Sequence, residues 1–205
     1  MTKPPKGVRE FYDKTAREWA DRWYADDSML PLLRRFMALL LESPRVLDLC
    51  CGAGYESGRM AALGAQIVGI DLSGESIAIA RERNPALTFH EEDMLNDYAY
   101  TGPVDAVVCI AGLVHLSWEQ LRCAFERMDA VLRPGGRLLL VIREGVGRQA
   151  ERSDVVIDGE CYDRAFYAHT LDELRETSAG MFAYEQELAD TGPSVWRNYV
   201  FCKPE

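Results

Sequence analysis

The chain has 205 residues, 48% of them hydrophobic, and a formal net charge of −10. That length supports one domain with a sizeable core, and the acidic balance opposes attraction to phosphate backbones, which disfavours a nucleic-acid partner. The opening "MTKPPKGVRE" lacks the apolar core of a secretory signal, and "MLPLLRRFMALLL" is too short, and too interrupted by Arg34 and Arg35, to span a membrane. Six cysteines without a CxxC pair or zinc spacing suggest a reduced, cytoplasmic protein with no metal site. Cys50, Cys109 and Cys202 fall in strand-like runs, where burial as small apolar residues is expected.

Taken in chain order, the segments "GVREFYDKTAREWADRWY" and "MLPLLRRFMALLLES" read as helices and form an N-terminal cap over residues 1–43. Alternation then begins. "RVLDLC" precedes a helix near 55–63, "AQIVGID" precedes one near 74–83, and "LTFHEED" follows. "VDAVVCIAG" precedes a helix near 118–132, which "RPGG" stops before the fifth run, "GGRLLLVIRE". Runs apolar throughout suit parallel strands buried on both faces, and strand–helix alternation implies right-handed crossovers in an α/β sheet. After Glu144 a polar loop leads into "VVIDGECYDRAFYAHT" and a helix near 171–178. "MFAYEQELA" and "VWRNYVFCK" then flank the short loop "DTGPS", so they should pair antiparallel. Residues 44–205 form the expected core of a single domain.

The chemistry concentrates at "RVLDLCCGAGYES". A turn through Gly52 and Gly54 at the end of the first strand lets the backbone approach a ligand at the carboxyl edge of the sheet. The dinucleotide fingerprint fails, because Gly58 comes one position late and Glu56 would crowd a pyrophosphate. Asp48 and Glu56 flank the turn and favour a cation instead. S-adenosylmethionine (SAM) carries an ammonium and a sulfonium and no phosphate, so the turn suits a cationic nucleoside of that kind. Asp71 ends the second strand, where a carboxylate can accept both ribose hydroxyls. Asp93 and Met94 end the third, where an acid can accept from an adenine amino group and a thioether can pack on its ring.

"VLDLCCGAG", "VGIDLS", "EEDM" and "LRPGGRLLL" occur in an order and at spacings that resemble class I SAM-dependent methyltransferases, from about Phe11 to the end of the chain. The resemblance implies a Rossmann-like, seven-stranded, mostly parallel sheet with helices on both faces and an antiparallel last strand. It also implies SAM as cofactor, with S-adenosylhomocysteine (SAH) as product and no metal. The family's turn acid matches Asp48, its turn glycines Gly52 and Gly54, its ribose-binding acid Asp71 and its adenine-side acid Asp93. Cys50 stands where the family has its first turn glycine. Tyr12, in a "Y-D-x-x-A" opening like that of family cap helices, would lie over the methionine end of the cofactor or pack at the seam between cap and core. Leu72 and Ile110 complete the expected cofactor set.

His115, after the fourth strand, faces the edge where the methyl would be transferred, as a general base for an O–H or N–H nucleophile or as a packed seam residue. Tyr24, Arg143, Tyr162, Arg164 and Trp196 are expected to wall an acceptor pocket, with arginine suited to a carboxylate. His169 precedes a helix cap at Thr170 and reads as structural. The motifs of amino-methylating nucleic-acid enzymes, cytosine C5 enzymes and protein arginine methyltransferases are absent, which leaves a small-molecule acceptor. A non-catalytic SAM-binding or regulatory protein and, more weakly, an NAD(P)-dependent oxidoreductase are the alternatives. The sequence assigns no oligomeric state.

Overall fold

The computed structural model describes residues 5–188 and 195–205. Its framework is a seven-stranded sheet built from β1 (Arg45–Leu49), β2 (Gln66–Asp71), β3 (Thr88–Glu91), β4 (Val104–Ile110), β5 (Leu132–Arg143), β10 (Ala183–Glu187) and β11 (Trp196–Cys202). The spatial order is β10-β11-β5-β4-β1-β2-β3. Strands β1 to β5 run parallel, and β11 lies between β5 and β10, antiparallel to both. The chain proceeds outward from β1 to β3, then returns to place β4 on the other side of β1. That reversal opens a crevice at the carboxyl ends of β1 and β4. The loop "DTGPS" that led to the antiparallel reading lies outside the described residues.

Helices α3 (Tyr55–Ala62), α4 (Gly74–Arg83) and α5 (Trp118–Val131) make the crossovers, near where the apolar periodicity predicts them. Their starts have local causes. Ser73 caps α4 by accepting from Ser76 N at 3.0 Å, and Ser117 with Gln120 forms a capping box on α5. Strand β5 starts immediately after α5, so "RPGG" lies inside it, at a register shift against β4. The strands are apolar on both faces because both are covered. On one face Leu47, Leu49, Leu138 and Leu140 meet Leu121, Phe125 and Met128 of α5, with Leu174 of α7 (Leu171–Thr177). On the other, Val46, Val108, Leu139 and Val141 meet Met60 of α3 and Leu32, Leu33 and Phe36 of α2 (Leu30–Met37). Helix α2 therefore shares the main core with the strands.

Helix α1 (Val8–Tyr24) lies across the crevice. Its Ala16 and Ala20 pack with Ala53 of the glycine turn and Ile79 of α4, and residues this small allow the helix backbone to come close. The region after β5 folds into short pieces: β6 (Gly147–Arg148), α6 (Ala150–Ser153), β7 (Asp154–Ile157), β8 (Glu160–Asp163) and β9 (Tyr167–Ala168). Strands β7 and β8 form a hairpin through Asp158-Gly159, both at positive φ, the turn signal that "DG" between β-forming residues carries. The hairpin is tied to the N-terminal segment: Lys6 N donates to Cys161 O (2.9 Å), Asp163 N to Lys6 O (2.7 Å), and Lys14 pairs with Asp158 (2.8 Å). Helix α1 and this excursion together roof the crevice.

Candidate active site

The crevice is a cleft of about 760 Å³, within the range of small-molecule sites. Its floor is the glycine turn. Gly52 and Gly54 sit at φ +53° and +79°, which suits glycine. A Cβ on Gly54 would lie 3.0 Å from both Ala80 Cβ and Phe89 Cζ, so the turn is also pressed against α4 and β3. Cys50 adopts φ +62° without that freedom. Cys109 is buried, as expected from its strand, whereas Cys50 and Cys202 are only partly covered. Burial raises the Cys51 thiol, and the contact with Cys109 together with burial raises that of Cys50, so both stay protonated near neutrality.

Three carboxylates surround this turn. Asp48 is 2% exposed, and its Oδ2 accepts from Ser57 Oγ at 2.5 Å. Burial pushes its pKa up to about 7. Glu56, 4% exposed, accepts from Arg59 Nη1 at 3.0 Å through Oε1, while Oε2 has no partner. Burial raises its pKa to about 7 against the opposing pull of Arg59. Asp71 accepts from Gly52 N (2.8 Å) and Ser73 N (2.9 Å), which fixes the carboxylate at the cleft edge; burial again raises its pKa, and those two N–H groups pull the other way. Asp93, beside Met94, lines the same end of the cleft.

At the other end stands a hydrogen-bonded pair. His115 Nδ1 faces the carbonyls of Arg164 (3.0 Å) and Ala165 (2.9 Å). Carbonyls only accept, so Nδ1 carries the proton, and Nε2 of the neutral ring accepts from Tyr12 Oη at 2.9 Å. Burial lowers the His115 pKa and raises that of Tyr12, which keeps both neutral near pH 7. Phe166 packs edge-on to His115 and to Trp196, and Val141 and Asn198 continue the wall.

Of the residues singled out from the sequence, the cleft lining includes Tyr12, Cys50, Gly52, Asp71, Leu72, Asp93, Met94, Ile110, His115, Arg164 and Trp196. Asp48 and the turn's own Gly54 are outside the lining. Tyr24, Arg143 and Tyr162 are off the cleft as well. Tyr24 Oη donates to Ala53 O and accepts from Asn84 Nδ2, both at 2.8 Å, so it braces the turn from behind. Tyr162 is 2% exposed, packed edge-on to Phe11, and donates to Glu160. Arg143 ends β5 beside Trp196, where its carbonyl accepts from His169 N at 3.0 Å. His169 is buried, with Nε2 against the carbonyls of Leu113 and Leu116. The cleft also takes in Arg152, Phe166, Trp19 and Trp23. Arg152 and Phe166 carry no local motif and enter through the tertiary path of the excursion. Among the described residues no cluster of three or more His, Cys, Asp or Glu could hold a metal ion, and no helix is long and apolar enough to cross a membrane.

A family profile described as "Methyltransferase domain" matches residues 46–136, which run from β1 into β5. Over that stretch the chain is similar to methyltransferases. The chain is 32% identical over 137 residues to a ubiquinone biosynthesis O-methyltransferase of Xanthomonas axonopodis pv. citri, covering 59% of this chain and 56% of that one. It is 34% identical over 93 residues to a dTDP-3-amino-3,6-dideoxy-alpha-D-glucopyranose N,N-dimethyltransferase of Streptomyces fradiae, covering 44% and 36% of the two chains. The chain spans about half the length of the first of these relatives. Among solved structures, the N-methyltransferase NodS from Bradyrhizobium japonicum WM9 in complex with SAH shares the fold, with a TM-score of 0.72 at 18% identity over 97% of this chain and 99% of that one.

Proposed function

We propose that this protein is a methyltransferase that binds SAM in the cleft and passes its methyl group to a small-molecule acceptor. The observation that carries the reading is the buried, unpartnered Oε2 of Glu56 in the cleft wall, with Asp71 held by two N–H groups at the neighbouring strand end. A carboxylate oxygen without a partner costs free energy unless a cation or donor meets it. The donor set fits a cationic nucleoside. Asp71 would take the ribose hydroxyls with its remaining lone pairs, and Asp93, Met94, Leu72 and Ile110 would surround the base. Cys50, Gly52 and Gly54 would shape the turn along the amino-acid portion, with Glu56 nearby. Asp48, behind the turn, would hold it through Ser57. When bound, the cofactor supplies an activated methyl on a sulfonium.

The protein's own part is alignment, exclusion of water and proton removal. Helix α1 and the excursion cover the cleft. The neutral His115 presents a lone pair at Nε2, and Tyr12 Oη occupies it. An acceptor O–H or N–H can hydrogen-bond to Tyr12 Oη, so its proton would reach His115 through the tyrosine hydroxyl or after that hydroxyl swings aside. The relatives named for O-methylation and for N,N-dimethylation support small acceptors as a class. The test is formation of SAH from SAM over a panel of small phenols, amines, thiols and carboxylic acids. Acceptor-dependent turnover is expected. Tight SAM binding with no turnover on any acceptor class would favour a binding protein instead.

A further inference from the structure

We propose that the acceptor carries an anionic oxygen group, held between Arg152 and Arg164, with Phe166 and Trp196 against its planar body. This rests on the reading that the cleft takes SAM and an acceptor, and it names the acceptor's chemistry.

Both residues line the cleft, and both guanidinium groups lie over one ring, at 5.5 and 5.2 Å from the Phe166 centroid. Arg164 lies over Phe11 as well, at 5.1 Å, and its Nε donates to Arg152 O at 2.7 Å, which fixes the two residues relative to each other. Among the described residues neither forms an ion pair with a carboxylate. The chain has 33 acidic residues against 23 lysines and arginines, so an arginine without such a pair is not for want of acids. Two other arginines of this region are paired: Arg148 with Asp154 and Asp163, each at 2.9 Å, and Arg197 with Glu144 at 2.6 Å.

Two like charges gathered on one aromatic ring in a partly dry wall repel each other, and an anion between them removes that cost. The planar fork of arginine suits a carboxylate, and it remains charged at all working pH values. The acids Glu56, Asp71 and Asp93 come from the strand ends and the two arginines from the excursion, with Arg22 of α1 a third arginine of the lining, over Trp19 and Trp23, so an anionic acceptor is drawn toward the arginine pair beside Tyr12 and His115. Arg164 joins the two functions, because its carbonyl accepts from His115 Nδ1.

The test is calorimetric titration of the protein, saturated with SAH, with benzoate, 4-hydroxybenzoate, phenylacetate and indole-3-acetate, each against its primary amide. At least one carboxylate is expected to bind with a Kd of about a millimolar or lower and at least about tenfold tighter than its amide. Arg152→Gln and Arg164→Gln should each weaken the carboxylate about tenfold and leave SAH affinity within about threefold. Arg164→Lys, which keeps the charge and loses the fork, should fall between and guards against misfolding of the glutamine variant. With SAH bound, no carboxylate binding below about 10 mM, or equal binding of acid and amide, overturns the proposal. So does a loss of SAH affinity in Arg164→Gln, which would assign that arginine to the cofactor's own carboxylate. Failure of SAH itself to bind overturns this proposal and the reading beneath it together.

Discussion

The two ends of the cleft differ in how they are built. The acidic end comes from the strand termini of β1, β2 and β3, where each functional group sits on or beside a strand whose position the sheet dictates. The basic, aromatic end comes from α1 and from the excursion between β5 and α7, where short pieces are held by one another and by the N-terminal segment. The first end is an edge of the common fold. The second lies on segments outside residues 46–136, the stretch that matches the methyltransferase domain.

The largest effect that could break this contrast is at Asp71. Its carboxylate holds the turn through Gly52 N and Ser73 N and faces the cleft. Asp71→Ala should reduce SAH affinity at least about tenfold, since a charge-assisted hydrogen bond contributes roughly 1.5–3 kcal/mol where desolvated. Calorimetry checks it, and wild-type affinity in a folded Asp71→Ala protein would remove the acidic end from cofactor binding. Next comes the Tyr12–His115 pair. His115→Gln should lower turnover about a hundredfold while leaving SAH affinity within about threefold. Because burial holds the histidine below its ordinary pKa, the wild-type rate should rise with a midpoint below pH 6.5, and that limb should vanish in the variant. A rate unchanged by His115→Gln, measured as SAH formed per minute, would make the residue a packing element.

A smaller effect concerns pH and stability. Glu56 is held at about 7 in the fold against an ordinary 4.5, so the folded protein binds this proton more tightly than the unfolded chain. The stability linked to it is complete below about pH 4.5 and is lost as pH rises toward about 7. Glu56→Gln should therefore melt near wild type at pH 4.5 and progressively above it toward pH 8, in scans without ligand. A cation at Oε2 favours the charged form, so wild-type affinity for SAM should rise through pH 7, and less steeply in the variant. The smallest effect is at Cys50. A non-glycine residue at φ +62° costs roughly 1–2 kcal/mol, partly offset here by contact with Cys109. Cys50→Gly should leave SAH affinity unchanged and raise stability by at most about 1 kcal/mol in denaturant unfolding. A loss of binding would show that the thiol has a role of its own.

The same contrast explains what could be read from the residues. Strands β1 to β5 were legible because burial on both faces forces unbroken apolar runs, and the glycine turn because its backbone demands glycine at particular positions. Glu56 was legible as a charge beside that turn; its unpartnered oxygen was not, since that depends on how Arg59 divides its bonds among Glu56, Asp27 and the carbonyls of Trp23 and Asp26. At the acceptor end, Arg143 is correctly a strand-end residue, yet the cleft is walled by Arg152 instead, from a one-turn helix in what reads as a polar loop. Tyr162 belongs to a hairpin that the "DG" dipeptide announces, but which way that hairpin folds is decided by its bonds to Lys6, far away in sequence.

The measurement that tests the division of the cleft most directly is a crystal structure of the protein with SAH. The account predicts the ribose on Asp71, the adenine beside Asp93 and Met94, and the sulfur directed toward Tyr12 and His115, with Arg152 and Arg164 clear of the cofactor and facing the remaining space. SAH bound with its nucleoside against Phe166 and Trp196, or with its carboxylate on Arg152 and Arg164, would contradict it.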